Sequence, residues 1–152
     1  MLERAKTLSD EQLDTPNEKY QPAPFTETQH TLREMFHQHV FGKENWVASI
    51  KNQQAPDNLD KTLNGLIERH EKVTNNFLAI AREIRDESKG QAVFVDALCV
   101  PPETFSFSGV IAHVITFSAQ QRTVMLEALR KFGINDLGYG DPIEFECALA
   151  GA

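Results

Sequence analysis

The longest helical pattern in the chain runs from Phe107 to Phe132, FSGVIAHVITFSAQQRTVMLEALRKF, with apolar residues returning every three or four positions. It predicts an amphipathic helix that stops at Gly133, with Ile134 behind it, the signature of a glycine-terminated helix end. A second helix is predicted from Thr31 to about Ile50, because Thr31 and Glu34 stand at capping-box spacing. Its apolar face is Leu32, Met35, Phe36, His39, Trp46, Val47 and Ile50. A third is predicted over about 57–87, with Pro56 and Asp57 as its start and Ser88-Lys89-Gly90 as its end. Its stripe is Leu59, Leu63, Leu66, Ile67, His70, Val73, Phe77, Ala81 and Ile84. Gly65 inside it costs about 1 kcal/mol relative to alanine, which points to a bend or a close approach there.

The remaining stretches are shorter. Ser9 and Gln12 form another capping box, for a short helix stopped by Pro16, and Pro22 and Pro24 then force an extended connection. In the run Ala92 to Val100, Val93 and Val95 allow a strand, but a strand with no partner is marginal. Pro101-Pro102 closes that run, so a short helical or irregular piece is expected. Residues 135–142 are turn chemistry. Gly138 and Gly140 do not make a phosphate loop, since no strand precedes them, no lysine follows at the right spacing and no helix is launched. Three long helices and one short one predict an all-α bundle in a single domain over 1–152.

Composition adds exclusions. The chain has 22 acidic against 15 basic residues, a net charge of −7, and its lysines and arginines are scattered. Phosphate contacts need clustered basic residues, so no nucleic-acid partner is expected. Cys99 and Cys147 form no CxxC and have no histidine at zinc-finger spacing, which favours two free thiols in a reducing compartment. The charged start MLERAKTLSDEQ has no apolar signal segment, and no apolar run reaches the roughly 20 residues that span a bilayer. A cytoplasmic protein without membrane contact is the expectation.

The candidate chemistry is in the histidines. His113 is the one imidazole in the apolar first half of the long helix, with Phe117 and Val124 flanking and Gln120 within about 20° on the helical wheel. His39 sits mid-face on the second helix, and two inward histidines on two helices would converge on one point, as metal ligands do in bundles. The plainer alternative is a pair of core histidines, each satisfied by a carbonyl or hydroxyl. Zinc needs three or four protein ligands, or three with water, and His70 is the only further histidine on an apolar face. Lys43, four residues after His39, shares its face, where an ammonium would repel a metal unless it turned outward. His37, two residues from His39, points elsewhere. Glu83, Asp86 and Glu87 read as a solvated helix end, and Ser106 and Ser118 lie in no nucleophile elbow.

LSDEQLD at 8–14, TLREMFHQHVFGKENW at 31–46 and SGVIAHVITFSAQQRTVMLEALRKFG at 108–133 resemble the DinB-like superfamily, with PPETFSFSGVIAHVITF at 101–117 and GDPIEFE at 140–146 the most specific parts. The resemblance implies a four-helix bundle of up-down-down-up type, here with a shortened first helix. It also implies a divalent metal, zinc or nickel, on three histidines. His39 falls on the first ligand position, Phe117 and Gln121 stand where a His-x-x-x-His pair is usual, and Gln120 stands where some relatives carry a histidine. His113 matches a recurrent histidine one turn earlier, so the reduced metal set is His39, His113, Gln120 and Gln121. The implied function is a stress-type protein with a degenerate metal site, non-catalytic or binding a small ligand. The alternative is a metal-dependent enzyme that transfers a thiol or hydrolyses a small substrate. A shortened first helix leaves a groove for the tail or a second copy, so a homodimer is expected.

Overall fold

The computed structural model of the protein describes residues 1–16, 31–57 and 59–150, so the connection expected at Pro22 and Pro24 lies outside the described residues. Along the chain come α1 (Leu2–Ala5), α2 (Asp10–Leu13), α3 (Leu32–Ile50), α4 (Leu63–Asp86), β1 (Val93–Asp96), β2 (Glu103–Ser106), α5 (Phe107–Lys131) and α6 (Pro142–Ala150). The strands pair antiparallel, with Val93 opposite Ser106 and Asp96 opposite Glu103. This corrects the expected all-α, DinB-like four-helix bundle: the described residues hold six helices and a two-stranded sheet.

The hairpin was hidden by its prolines. Pro101 and Pro102 lie in the connection between the strands, where a missing N–H costs no ladder bond. The partner of β1 therefore lies just beyond them, at Glu103–Ser106, past the point where the apolar run was expected to close. The turn is tied down by Asp96, which is buried. Its Oδ1 accepts from the Ser49 hydroxyl at 2.7 Å and the Leu98 N–H at 3.0 Å, and its Oδ2 accepts from the Cys99 thiol at 3.3 Å. Donating that bond to Asp96 pushes the Cys99 thiol pKa up, with burial and the charge of the carboxylate adding smaller rises. Cys99 and Cys147 are both free thiols.

Local capping sets most of the helix limits. Ser9 and Gln12 close a reciprocal capping box at 3.2 and 2.9 Å, and Thr31 and Glu34 do the same at 3.2 and 2.9 Å. The third helix begins at Leu63, later than the 57 expected from Pro56. The Thr62 hydroxyl accepts from Gly65 N–H at 3.1 Å, while Asp60 Oδ1 accepts from Thr62 N–H at 2.7 Å, so the true cap is Thr62. The Asp60 carboxylate lies so close over Gly65 that a Cβ there would collide with it, which accounts for the glycine. The tail does launch a helix, contrary to expectation: Asp141 Oδ1 accepts from Ile143 N–H at 2.7 Å and Pro142 takes the first helical position of α6.

Each of the three long helices ends in the same pair of hydrogen bonds. Gln53, Lys89 and Ile134 N–H donate to the carbonyls of Ala48, Ile84 and Leu129, and Asn52, Ser88 and Gly133 N–H donate to those of Ser49, Arg85 and Arg130. The left-handed position is Asn52 at φ 52°, Ser88 at φ 54° and Gly133 at φ 82°. Only the last is a glycine, and only the last was legible as such a stop. A serine there carries the Cβ penalty that glycine avoids. Ser88→Gly is therefore expected to raise the unfolding free energy by about 0.5–1 kcal/mol, read as a higher urea midpoint.

The chain divides into two compact units, Met1–Phe36 with Ser118–Ala152, and His37–Phe117. In the first, Leu13, Leu32, Phe36, Met125, Leu126 and Leu129 are buried, and Arg33 of α3 grips Asp14 at 2.7 Å and Asp10 at 2.5 Å. In the second, Val40, Val47, Leu66, Val73, Ile80, Ile84, Val110 and Val114 form the core. No helix among the described residues is long and apolar enough to cross a membrane.

Candidate functional site

The second unit holds the polar groups that burial makes chemically informative. His39 is buried on α3, and its ring stacks on His70 of α4, with centroids 6.0 Å apart and planes 16° from parallel. One turn along α3, Lys43 Nζ lies 2.5 Å from His39 Nε2 and 3.3 Å from the His39 carbonyl oxygen. An ammonium has no lone pair, so Nε2 must be the acceptor, which puts the imidazole proton on Nδ1. Burial, and then the positive charge of Lys43, hold the His70 pKa below the usual histidine range. His39, Lys43 and His70 thus form a compact group of two stacked imidazoles and one cation.

A second polar cluster lies beside it. Arg69 of α4 forks onto Glu44 of α3, Nε to Oε1 at 3.0 Å and Nη2 to Oε2 at 2.6 Å, and Nη1 donates to the Asp60 carbonyl at 2.7 Å. Nη1 also faces His37 Nδ1 at 3.4 Å. His37 does turn away from His39, yet it is buried and stacked on Phe41 with centroids 5.5 Å apart. Its pKa is lowered by burial, then by Lys61 and Arg69, with Glu44 opposing. The sequence reading singled out neither Arg69 nor Glu44. The residue types gave no signal for this pair, because it depends on which turn of α3 faces which turn of α4.

His113 is exposed, whereas it was expected to face inward, as a metal ligand or as a core histidine. The reason is visible in α5: Val110 and Val114 are buried, and His113 stands on the flank of their stripe. There its ring meets Trp46 edge-on at 5.4 Å and stacks on Phe117 at 5.3 Å. Trp46 continues the ring contacts to Phe105, Phe105 to Phe94, and Phe94 to Phe107, so an unbroken chain of rings joins α3, the hairpin and α5. Trp46 is two turns beyond His39 on α3, about 10 Å of helix rise. His39 and His113 therefore have different partners, His70 and Lys43 for one, Trp46 and Phe117 for the other. Gln120 and Gln121 are on the part of α5 in the other unit, Gln120 exposed and Gln121 half-buried.

Among the described residues, no group of three or more His, Cys, Asp and Glu side chains is placed to hold a metal ion. His39 offers the one lone pair that the expected set would need first, and in this arrangement Lys43 takes it. The residues present do not fit a resident divalent metal at His39, on the chemistry of the donors themselves.

The second unit also has an open cleft of about 560 Å³ between the end of α4 and the start of α5. Ala81, Ile84, Ile111, Ala112 and Ile115 line it together with Arg85 and the polar Ser88, Gln91 and Ser108. Compared with known proteins, the chain matches no family model, no curated protein and no solved structure. The DinB-like resemblance gains nothing from these comparisons.

Proposed function

We propose that this chain is a non-catalytic protein that binds a small ligand and uses its His39 position without a resident metal. The observation that carries the reading is Lys43 Nζ at 2.5 Å from His39 Nε2. A lysine ammonium placed there supplies a fixed positive charge at the point where a metal ligand would otherwise direct its lone pair. Divalent metal and ammonium compete for the same electrons, and their charges repel. The open cleft of about 560 Å³ in the same unit supports the ligand part of the reading, being in the size range of small-molecule sites. A homodimer stays within this reading, with exposed Val93 and Val95 of β1 as apolar surface available to a second copy.

Elemental analysis of the purified full chain tests the metal part. Zinc and nickel are expected well below one per chain, and added zinc is expected to leave the thermal midpoint unchanged. Lys43→Met, which takes the ammonium away from Nε2, is expected to let zinc bind weakly at His39 and His70. Stoichiometric zinc or nickel in the wild-type chain, lost on His39→Ala, would overturn the reading.

A further inference from the structure

We propose that the cleft between α4 and α5 binds an amphipathic monocarboxylate, a medium-chain acid, with its tail against Ile84, Ile111 and Ile115 and its carboxylate on Arg85. The proposal rests on the small-ligand reading and names its site and ligand class. Three observations carry it. The cleft, at about 560 Å³, has room for such a molecule. Half of its lining is aliphatic, Ala81, Ile84, Ile111, Ala112 and Ile115, and Ile115 is 61% exposed, so a tail laid there removes apolar surface from water. The lining carries one ionised side chain, Arg85.

Arg85 is available for a head group. Its Nε donates to Asp86 Oδ1 at 2.8 Å, but the two side chains are 72 and 63% exposed, and such surface pairs are weak. Its two Nη groups have no protein partner among the described residues. Two parallel N–H groups on a planar guanidinium match the two oxygens of a carboxylate. A cationic head group would meet repulsion at the same place, and an uncharged one would gain only a neutral hydrogen bond. The chemistry thus selects the acid among molecules that share one tail.

The test uses the full chain and three probes with the same tail, decanoate, decanol and decyltrimethylammonium, each below its micelle concentration. Calorimetric titration is expected to give decanoate about fivefold tighter binding than decanol, with decyltrimethylammonium weakest. Arg85→Gln is expected to bring the three within about twofold of one another. Ala112→Trp, at an exposed position that faces the cleft, is expected to weaken all three by about tenfold, with the helical circular dichroism unchanged. Methyl resonances of Ile84, Ile111 and Ile115 are expected to shift on decanoate addition. Equal affinity for the three heads, a decanoate preference that survives Arg85→Gln, or shifts confined to other methyls would overturn the proposal. If decanol still binds in the first two cases, small-ligand binding stands and only the head group is wrong, whereas shifts confined to other methyls would put the ligand outside the cleft. If none of the three binds, the cleft assignment falls, while the metal-free reading of His39 is judged separately by elemental analysis. Self-association abolished by Ala112→Trp without any ligand would mean that a second copy covers the cleft, and would also overturn the proposal.

Discussion

Arg69→Ala is expected to lower the unfolding free energy by about 2 kcal/mol, between the roughly 1 kcal/mol of a surface pair and the roughly 3 kcal/mol at the low end for a fully buried one. Arg69 and Glu44 are 13 and 14% exposed, and the guanidinium makes two bonds to the carboxylate and one to the Asp60 carbonyl. Removing it leaves a carboxylate that has lost most of its water and its fork-shaped partner. The effect is larger than that of a surface pair, which is worth about 0–1 kcal/mol. Arg69→Lys keeps the charge but cannot reproduce the fork, so an intermediate loss is expected. The double change Arg69→Met with Glu44→Leu should recover part of the loss, because no charge is then left buried alone. Urea denaturation of the four proteins checks this, and a loss below about 1 kcal/mol for Arg69→Ala would show that the pair behaves as a surface pair.

Acid is expected to destabilise the protein before the carboxylates titrate. Burial and neighbouring cations lower the pKa of His37 and of His70 in the folded chain. In the unfolded chain both return to about 6.5. As pH falls below that value the unfolded state takes up protons that the folded state resists, so the equilibrium moves toward unfolding. The stability these two residues contribute is present above about pH 6.5 and is lost as pH falls from there toward their folded values. The urea midpoint at about pH 5 should be clearly lower than at about pH 7.5. His70→Phe keeps a planar ring against His39 and removes one of the two titrating groups, so it should flatten the fall. A wild-type midpoint that does not move between those two pH values would show that the histidines are not held neutral by the fold.

Much of the helical layout is written locally. The boxes at Ser9 with Gln12 and Thr31 with Glu34, and the glycine stop at Gly133, each use residues within a few positions of one another. The spacing of Lys43 four residues after His39 likewise puts both on one face of α3, and their contact is that same turn of helix closed. The hairpin was not legible, because β1 gains its partner across two prolines that read as a stop. The start of α4 was misplaced because Pro56 was given the role that Thr62 plays.

The histidines divide along the same line. Periodicity grouped His113 with Gln120 on one side of the long helix, and both are exposed. What periodicity did not give was which flank of an apolar stripe the neighbouring helix would cover. The sequence by itself determined three long amphipathic helices, their local caps at Ser9, Thr31 and Gly133, and the lysine next to His39, since all of these are set by contacts within one or two turns of chain. Only the tertiary structure decided that His39 stacks on His70, that Arg69 finds Glu44, that Asp96 anchors a hairpin on Ser49, and that His113 ends among aromatic rings at the surface. Those pairings join residues 25 to 67 positions apart. Their energy depends on how helix faces and strands meet, which no short window of sequence contains.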